Sequence, residues 1–79
     1  MLAKIAIQHQ TLVFRTSVNS EQQGNLIQSY LLAIEGVSEV SFDLEDWENV
    51  LRVVGDETIE SEVIENCLSN FGVEISELE

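Results

Sequence analysis

Six consecutive residues, Val18, Asn19, Ser20, Glu21, Gln22 and Gln23, join an alternating apolar run to a helical pattern, where a small α/β domain usually keeps its working groups. Ser20 followed three residues later by Gln23 fits a capping box. In that motif the serine hydroxyl accepts from a free backbone N–H and the glutamine reaches back to the cap. The turn therefore has a structural reason to exist, and whether it has a chemical one is the main question. Other groups with possible chemistry are scattered. His9 is the only histidine and Cys67 the only cysteine. A serine with one distant histidine makes no triad, so the chain reads as no enzyme and calls for no cofactor. Asp43, Glu45, Asp46, Glu48 and Asn49 could chelate Ca²⁺, but they lack the glycine and spacing of an EF-hand loop and read as a solvated turn. Trp47 in that turn is either an interface anchor or a cover folded over a sheet edge. Arg52, amid acids, reads as the partner of a surface carboxylate.

A chain of 79 residues holds one domain, spanning 1–79, with 1–10 a segment free to fray and assigned no role. Hydrophobic residues at 44%, charged residues at 23% and no proline describe a globular chain rather than a linker. The single cysteine cannot form an internal disulfide and suits a reducing compartment. The opening Met1-Leu2-Ala3-Lys4-Ile5-Ala6-Ile7 stops short of a secretion signal and no run reaches membrane-spanning length, so a cytoplasmic setting is expected. Three basic residues stand against 15 acidic ones, and the net charge of -12 repels phosphate backbones and anionic lipid. No nucleic acid and no membrane are expected as partners. A protein, preferably basic, or a cation fits better.

The elements that position these groups follow from periodicity. Leu12, Phe14, Thr16 and Val18 alternate with Val13, Arg15 and Ser17 from Thr11 onward, which predicts a strand. Ile27, Tyr30, Leu31 and Ile34, broadened by Leu26 and Leu32, predict a helix from about Ser20 to Glu35 with Gly36 as its left-handed stop. Val40, Phe42 and Leu44 alternate with acids and a serine as a second strand, and Val50-Leu51-Arg52-Val53-Val54 reads as a central strand covered on both faces. Thr58 or a neighbour caps a second helix carrying Val63, Ile64, Cys67, Leu68 and Phe71, and Gly72 stops it. Cys67 on that apolar stripe reads as a small hydrophobe of the core. Val73 and Ile75 form a short last strand. Both helices run into a Gly-Val step followed by glutamate and serine, a faint echo of two βαβ halves. Right-handed crossovers then put the first and third strands in the centre and the other two at the edges, with both helices on one face. The expected fold is α+β, a ferredoxin-like βαββαβ plait.

Over about residues 12 to 78 the chain resembles the heavy-metal-associated domain family, the small plaits that serve as copper chaperones and as cytoplasmic modules of metal-pumping ATPases. The likeness rests on the strand, loop and helix from Leu12 to Ile34, on Gly36-Val37-Ser38-Glu39-Val40, and on Asn70-Phe71-Gly72-Val73-Glu74. It extends to a subset of these plaits carrying Phe-Asp-Leu-Glu-Asp, here at 42–46, and Val-Leu-Arg-Val, here at 50–53. The family's Met-x-Cys-x-x-Cys loop is missing. Val18 stands at the methionine, Ser20 at the first cysteine and Gln23 at the second. Two thiolates grip a soft ion such as Cu(I), whereas a hydroxyl and a neutral amide do not. The resemblance thus implies a degenerate member: a non-catalytic interaction or regulatory module with no metal ligands, whose candidate interaction loop is Val18, Asn19, Ser20, Glu21, Gln22 and Gln23; a monomer or weak dimer is expected. Two alternatives stand beside it. One is a metal-ion binding or transport protein using carboxylates with His9 or Cys67; the other is a small-molecule-sensing regulatory plait that dimerises through its sheet.

Overall fold

The structure is a computed structural model and describes residues 9–43 and 49–78. The order is β1 (His9–Thr16), α1 (Glu21–Leu32), β2 (Val37–Asp43), β3 (Val50–Asp56), α2 (Ser61–Asn70) and β4 (Ile75–Leu78). The strands make one antiparallel sheet in the order β2-β3-β1-β4, the ferredoxin-like plait expected. Register decides which residues meet the helices. Phe14 pairs with Leu51 and Leu12 with Val53, while Phe42 and Val40 join the same two rows from β2. Because strand side chains alternate between faces, these rows share one side of the sheet. There Phe14, Val40, Leu51 and Val53 pack against Ile27 and Leu31 of α1 and Ile64 and Leu68 of α2, with Val18, Ile59 and Val73 completing the core. Each fully buried side chain of this size contributes roughly 1.5–3 kcal/mol, so this cluster is the main source of stability.

The helices are narrower in their contact than their sequence suggested. Leu26, Tyr30, Leu32 and Val63, all expected in apolar stripes, are 51%, 58%, 44% and 44% exposed. Each helix rests on a single sheet face, and Ile27 and Leu31 suffice to cover it from α1. The expectation that β3 is covered on both faces also fails. Val50 is buried and Val54 half-buried on the side away from the helices, but Arg52 between them is exposed.

Several boundaries differ because distant partners set them. The described part of β1 starts at His9, two residues before Thr11, and Gln10 Nε2 donates to the carbonyls of Asp56 (3.0 Å) and Ile59 (2.9 Å). Thr58 is not the cap of α2. That position is Glu60, without a side-chain cap bond, while Thr58 donates both its hydroxyl and its N–H to the Asp56 carboxylate. Those two donations, the hydroxyl's foremost, hold the Asp56 carboxyl below its ordinary pKa. β2 starts three residues earlier than its clean alternation, with an irregularity between Val37 and Glu39. β4 starts at Ile75, Val73 having turned into the core. Gly36 and Gly72 have φ of +97° and +76°, the left-handed stops expected after each helix.

Candidate functional site

The loop between β1 and α1 is built from Thr16 outward. Thr16 is only 7% exposed, and its hydroxyl donates to the Asn49 carbonyl (2.8 Å) and accepts from the Val18 N–H (3.2 Å). Asn49 presents that carbonyl from a left-handed backbone, φ 50°. One residue on, Ser17 and Glu74 exchange bonds: the Ser17 N–H donates to the Glu74 carbonyl and the Glu74 N–H to Ser17 Oγ, both at 2.9 Å. The start of the loop is thereby stitched to the segments before β3 and β4. None of these partners has a local sequence signal. Only the placement of Thr16 on the apolar face of a strand hinted that its hydroxyl would need one.

This stitching yields a prediction. Thr16→Val keeps the shape but leaves the buried Val18 N–H without its acceptor, and should destabilise the domain by about 1–3 kcal/mol. Urea denaturation measures the loss, and amide exchange at Val18 and Asn19 should rise more than the global change requires. Thr16→Ser should retain most of the stability. Equal midpoints for wild type and Thr16→Val would mean that the hydroxyl does not hold the loop.

Val18 was expected in the interaction loop but is fully buried in the core. Its register follows Phe14 and Thr16 onto the helix side of the sheet, so it anchors the loop and offers no surface. Asn19, Ser20, Glu21 and Gln22 are exposed and Gln23 is half-buried. Ser20 is the N-cap of α1, with extended backbone angles (φ -136°, ψ 143°), and its Oγ accepts from the Gln23 N–H at 3.1 Å. The serine half of the expected capping box is therefore in place. Gly24 follows in the first turn, its Cα facing the Phe42 ring so closely that a Cβ would stand 3.4 Å from it. That approach seats the beginning of α1 on β2, and Gln28 reinforces it by donating Nε2 to the Val40 carbonyl at 2.6 Å.

Beside the loop, an open groove of about 610 Å³ runs between α1 and the end of α2, lined by Ser20, Gln22, Gln23, Leu26, Ser29 and Phe71. Tyr30, one turn beyond Leu26, meets Phe71 edge to face, with ring centroids 5.1 Å apart and planes at 74°. The remaining candidates lie apart from this end. His9 is exposed at the far end of β1, in register with Asp56. The seven further residues of β1 separate it from the loop, roughly 25 Å. Cys67 is half-buried on α2 and packs against the core, and burial pushes its thiol pKa up, which disfavours the reactive thiolate. Trp47, with Glu45, Asp46 and Glu48 of the acidic turn, lies outside the described residues.

The donor set does not suit a soft metal ion. The Ser20 oxygen already serves as the helix cap, Gln23 offers a neutral amide, and no sulfur is near either in the loop. Among the described residues, no group of three His, Cys, Asp or Glu side chains is placed to hold a metal. Nor, among them, is any helix long and apolar enough to cross a membrane.

A four-stranded plait with two helices on one face, entered through a β1–α1 loop at one end, is the fold of the heavy-metal-associated domains, and this chain has it. The yeast copper transporter domain CCC2A, solved in apo and Cu(I)-loaded states, is similar with a TM-score of 0.77 at 18% identity, over 87% of this chain and 94% of that one. Oxidized MerP from Ralstonia metallidurans CH34 matches with a TM-score of 0.76 at 16% identity, over 90% and 99%. A putative copper-ion-binding protein from Bacillus anthracis matches with a TM-score of 0.76 at 19% identity, over 90% and 100%. No family profile matches the sequence, and no curated protein matches it. At these identities the likeness is one of fold.

Proposed function

We propose that this chain is a non-catalytic docking module: a heavy-metal-associated plait whose loop, residues 19–23, and adjoining start of α1 meet a protein partner without carrying a metal ion. The observation that carries the reading is the use of Ser20 Oγ as the cap of α1, at the position where the resemblance would put the first thiolate. What the substitution keeps is an exposed loop on a well-fastened strand end; what it removes is the soft ligand pair. Net charge of -12 favours a basic partner over nucleic acid or membrane. The setting we infer is cytoplasmic, on the strength of one free cysteine.

Because structurally similar proteins include copper-binding ones, metal binding by other ligands is the reading to test against. Wild-type protein under reducing conditions should withdraw no Cu(I) from bicinchoninate, and Zn²⁺ or Ca²⁺ should leave its amide spectrum unchanged. Sub-micromolar Cu(I) affinity in the wild type would end the docking-only reading in favour of a carrier or sensor.

A further inference from the structure

We propose that the groove between α1 and the end of α2 receives an apolar side chain from a basic amphipathic helix of the partner. The inference rests on the docking reading above and names the chemistry of what docks. Its floor is apolar and open. Leu26, 51% exposed on α1, and Phe71 at the end of α2 are its apolar lining, and Phe71 in turn meets the ring of Tyr30, 58% exposed one turn beyond Leu26. Ser20, Gln22, Gln23, Asn25 and Ser29 make the rest of the lining polar and uncharged. An apolar floor with a polar rim is the form in which helix-in-groove recognition places its anchor residues.

Charge selects the occupant. α2 ends at Asn70 with Phe71 as its cap, and its last turn holds no basic residue; the last turn of α1 holds none either. The negative end of the α2 dipole stands at the groove beside the positive end of α1, whose Ser20, Gln22 and Gln23 also line it, so the two offset and the acidic side chains set the field of this face. The Phe71 and Gly72 N–H groups satisfy the Leu68 and Ser69 carbonyls, which shapes the turn but adds no positive charge. Neither helix contains a lysine or arginine, while Glu21, Glu62 and Glu65 lie on them. Arg15 and Arg52 belong to the sheet rows of Val50 and Val13, on the side away from the helices. A second copy of this chain would bring the same acidic helices and a further charge of -12, so self-association through this face is opposed. A lysine- or arginine-flanked apolar anchor meets both the floor and the field.

The test titrates three synthetic helical peptides into the ¹⁵N-labelled full chain at low ionic strength. One has a leucine face flanked by lysines, one the same face flanked by glutamates, and one lysine flanks with the leucines replaced by glutamines. The lysine–leucine peptide should shift the amides of Gln22, Leu26, Ser29 and Phe71, weaken as salt rises, and bind about tenfold more tightly than either control. Leu26→Gln, at a half-exposed position that the fold does not need, should weaken that peptide about tenfold while leaving the rest of the spectrum in place. Equal binding by the leucine-free peptide, or indifference to Leu26→Gln, would reduce the contact to general charge attraction and overturn the groove. Shifts confined to residues 19–21 would also overturn it while the loop reading stands. Absence of any shift up to millimolar peptide removes the groove, and the docking reading is then judged by its own metal titration.

Discussion

The double variant Ser20→Cys, Gln23→Cys is expected to bind one Cu(I) at least about a thousandfold more tightly than the wild type, a gain of roughly 4 kcal/mol. Ser20 is the N-cap of α1 and Gln23 lies in its first turn, with the Gln23 N–H already 3.1 Å from the Ser20 side chain. Sulfur atoms at these two positions would lie on the same turn, at the positive end of a helix that stabilises thiolates. The remaining scaffold needs no change, because Thr16, Ser17 and the buried Val18 hold the loop through groups that the two substitutions do not touch. Losing the serine cap should cost the metal-free variant about 1 kcal/mol. Added Cu(I) should then restore or exceed wild-type stability, since a ligand that binds only the folded state stabilises it by mass action. Competition with a Cu(I) chelator reads the affinity, and thermal unfolding with and without the ion reads the linkage. A double variant that takes no Cu(I) would show that the loop's shape, and not only its ligands, has departed from that of a metal site.

The second large effect is expected at the opposite end of the domain. Alanine at Gly55 should destabilise the fold by about 3 kcal/mol, through overpacking that the neighbours cannot relieve. A Cβ on Gly55 would overlap the carbonyl oxygen of Gly36 and stand 2.7 Å from Ile59 Cδ1. The first neighbour is backbone, and it is held where it is because the Asp56 N–H donates to it at 2.9 Å. No rotamer change makes room; the start of β2 would have to move off β3. For a chain of 79 residues at about 0.05–0.15 kcal/mol per residue, that loss is a large share of the total stability. Gly72→Ala is the control. It has a positive φ of +76° but nothing within 4 Å of the added carbon, so only backbone strain of about 1–2 kcal/mol is expected. Chemical denaturation of the two variants side by side checks the ordering, and equal losses would refute the steric account.

Much of the plait is legible in the residues taken in order, because its determinants are local. The alternation of Leu12, Phe14, Thr16 and Val18, the i, i+4 spacing of Ile27 with Leu31 and of Ile64 with Leu68, and the glycines at 36 and 72 each report a backbone preference or a face within a few residues. With the handedness of crossovers, those signals lead to the observed strand order. Ser20 as a cap is equally local, since its partner Gln23 lies three residues away.

Tertiary structure alone decided the rest. Gln10 reaches Asp56 and Ile59, Thr16 reaches Asn49, and Ser17 reaches Glu74, and no window of sequence contains either member's reason for the other. The bonds of Thr16 and Ser17, rather than strand propensity, determine how firmly the loop is held. Periodicity likewise put Leu26 and Tyr30 in the apolar stripe of α1, whereas both are exposed; Val18, by contrast, is buried as the strand alternation requires and not offered at the loop surface. A hydrophobic pattern shows that a residue prefers to leave water, but whether it does depends on how much surface the facing layer offers. Here one sheet face is filled by Ile27, Leu31, Ile64 and Leu68, and Leu26, left outside it, lines the groove beside the loop with Phe71.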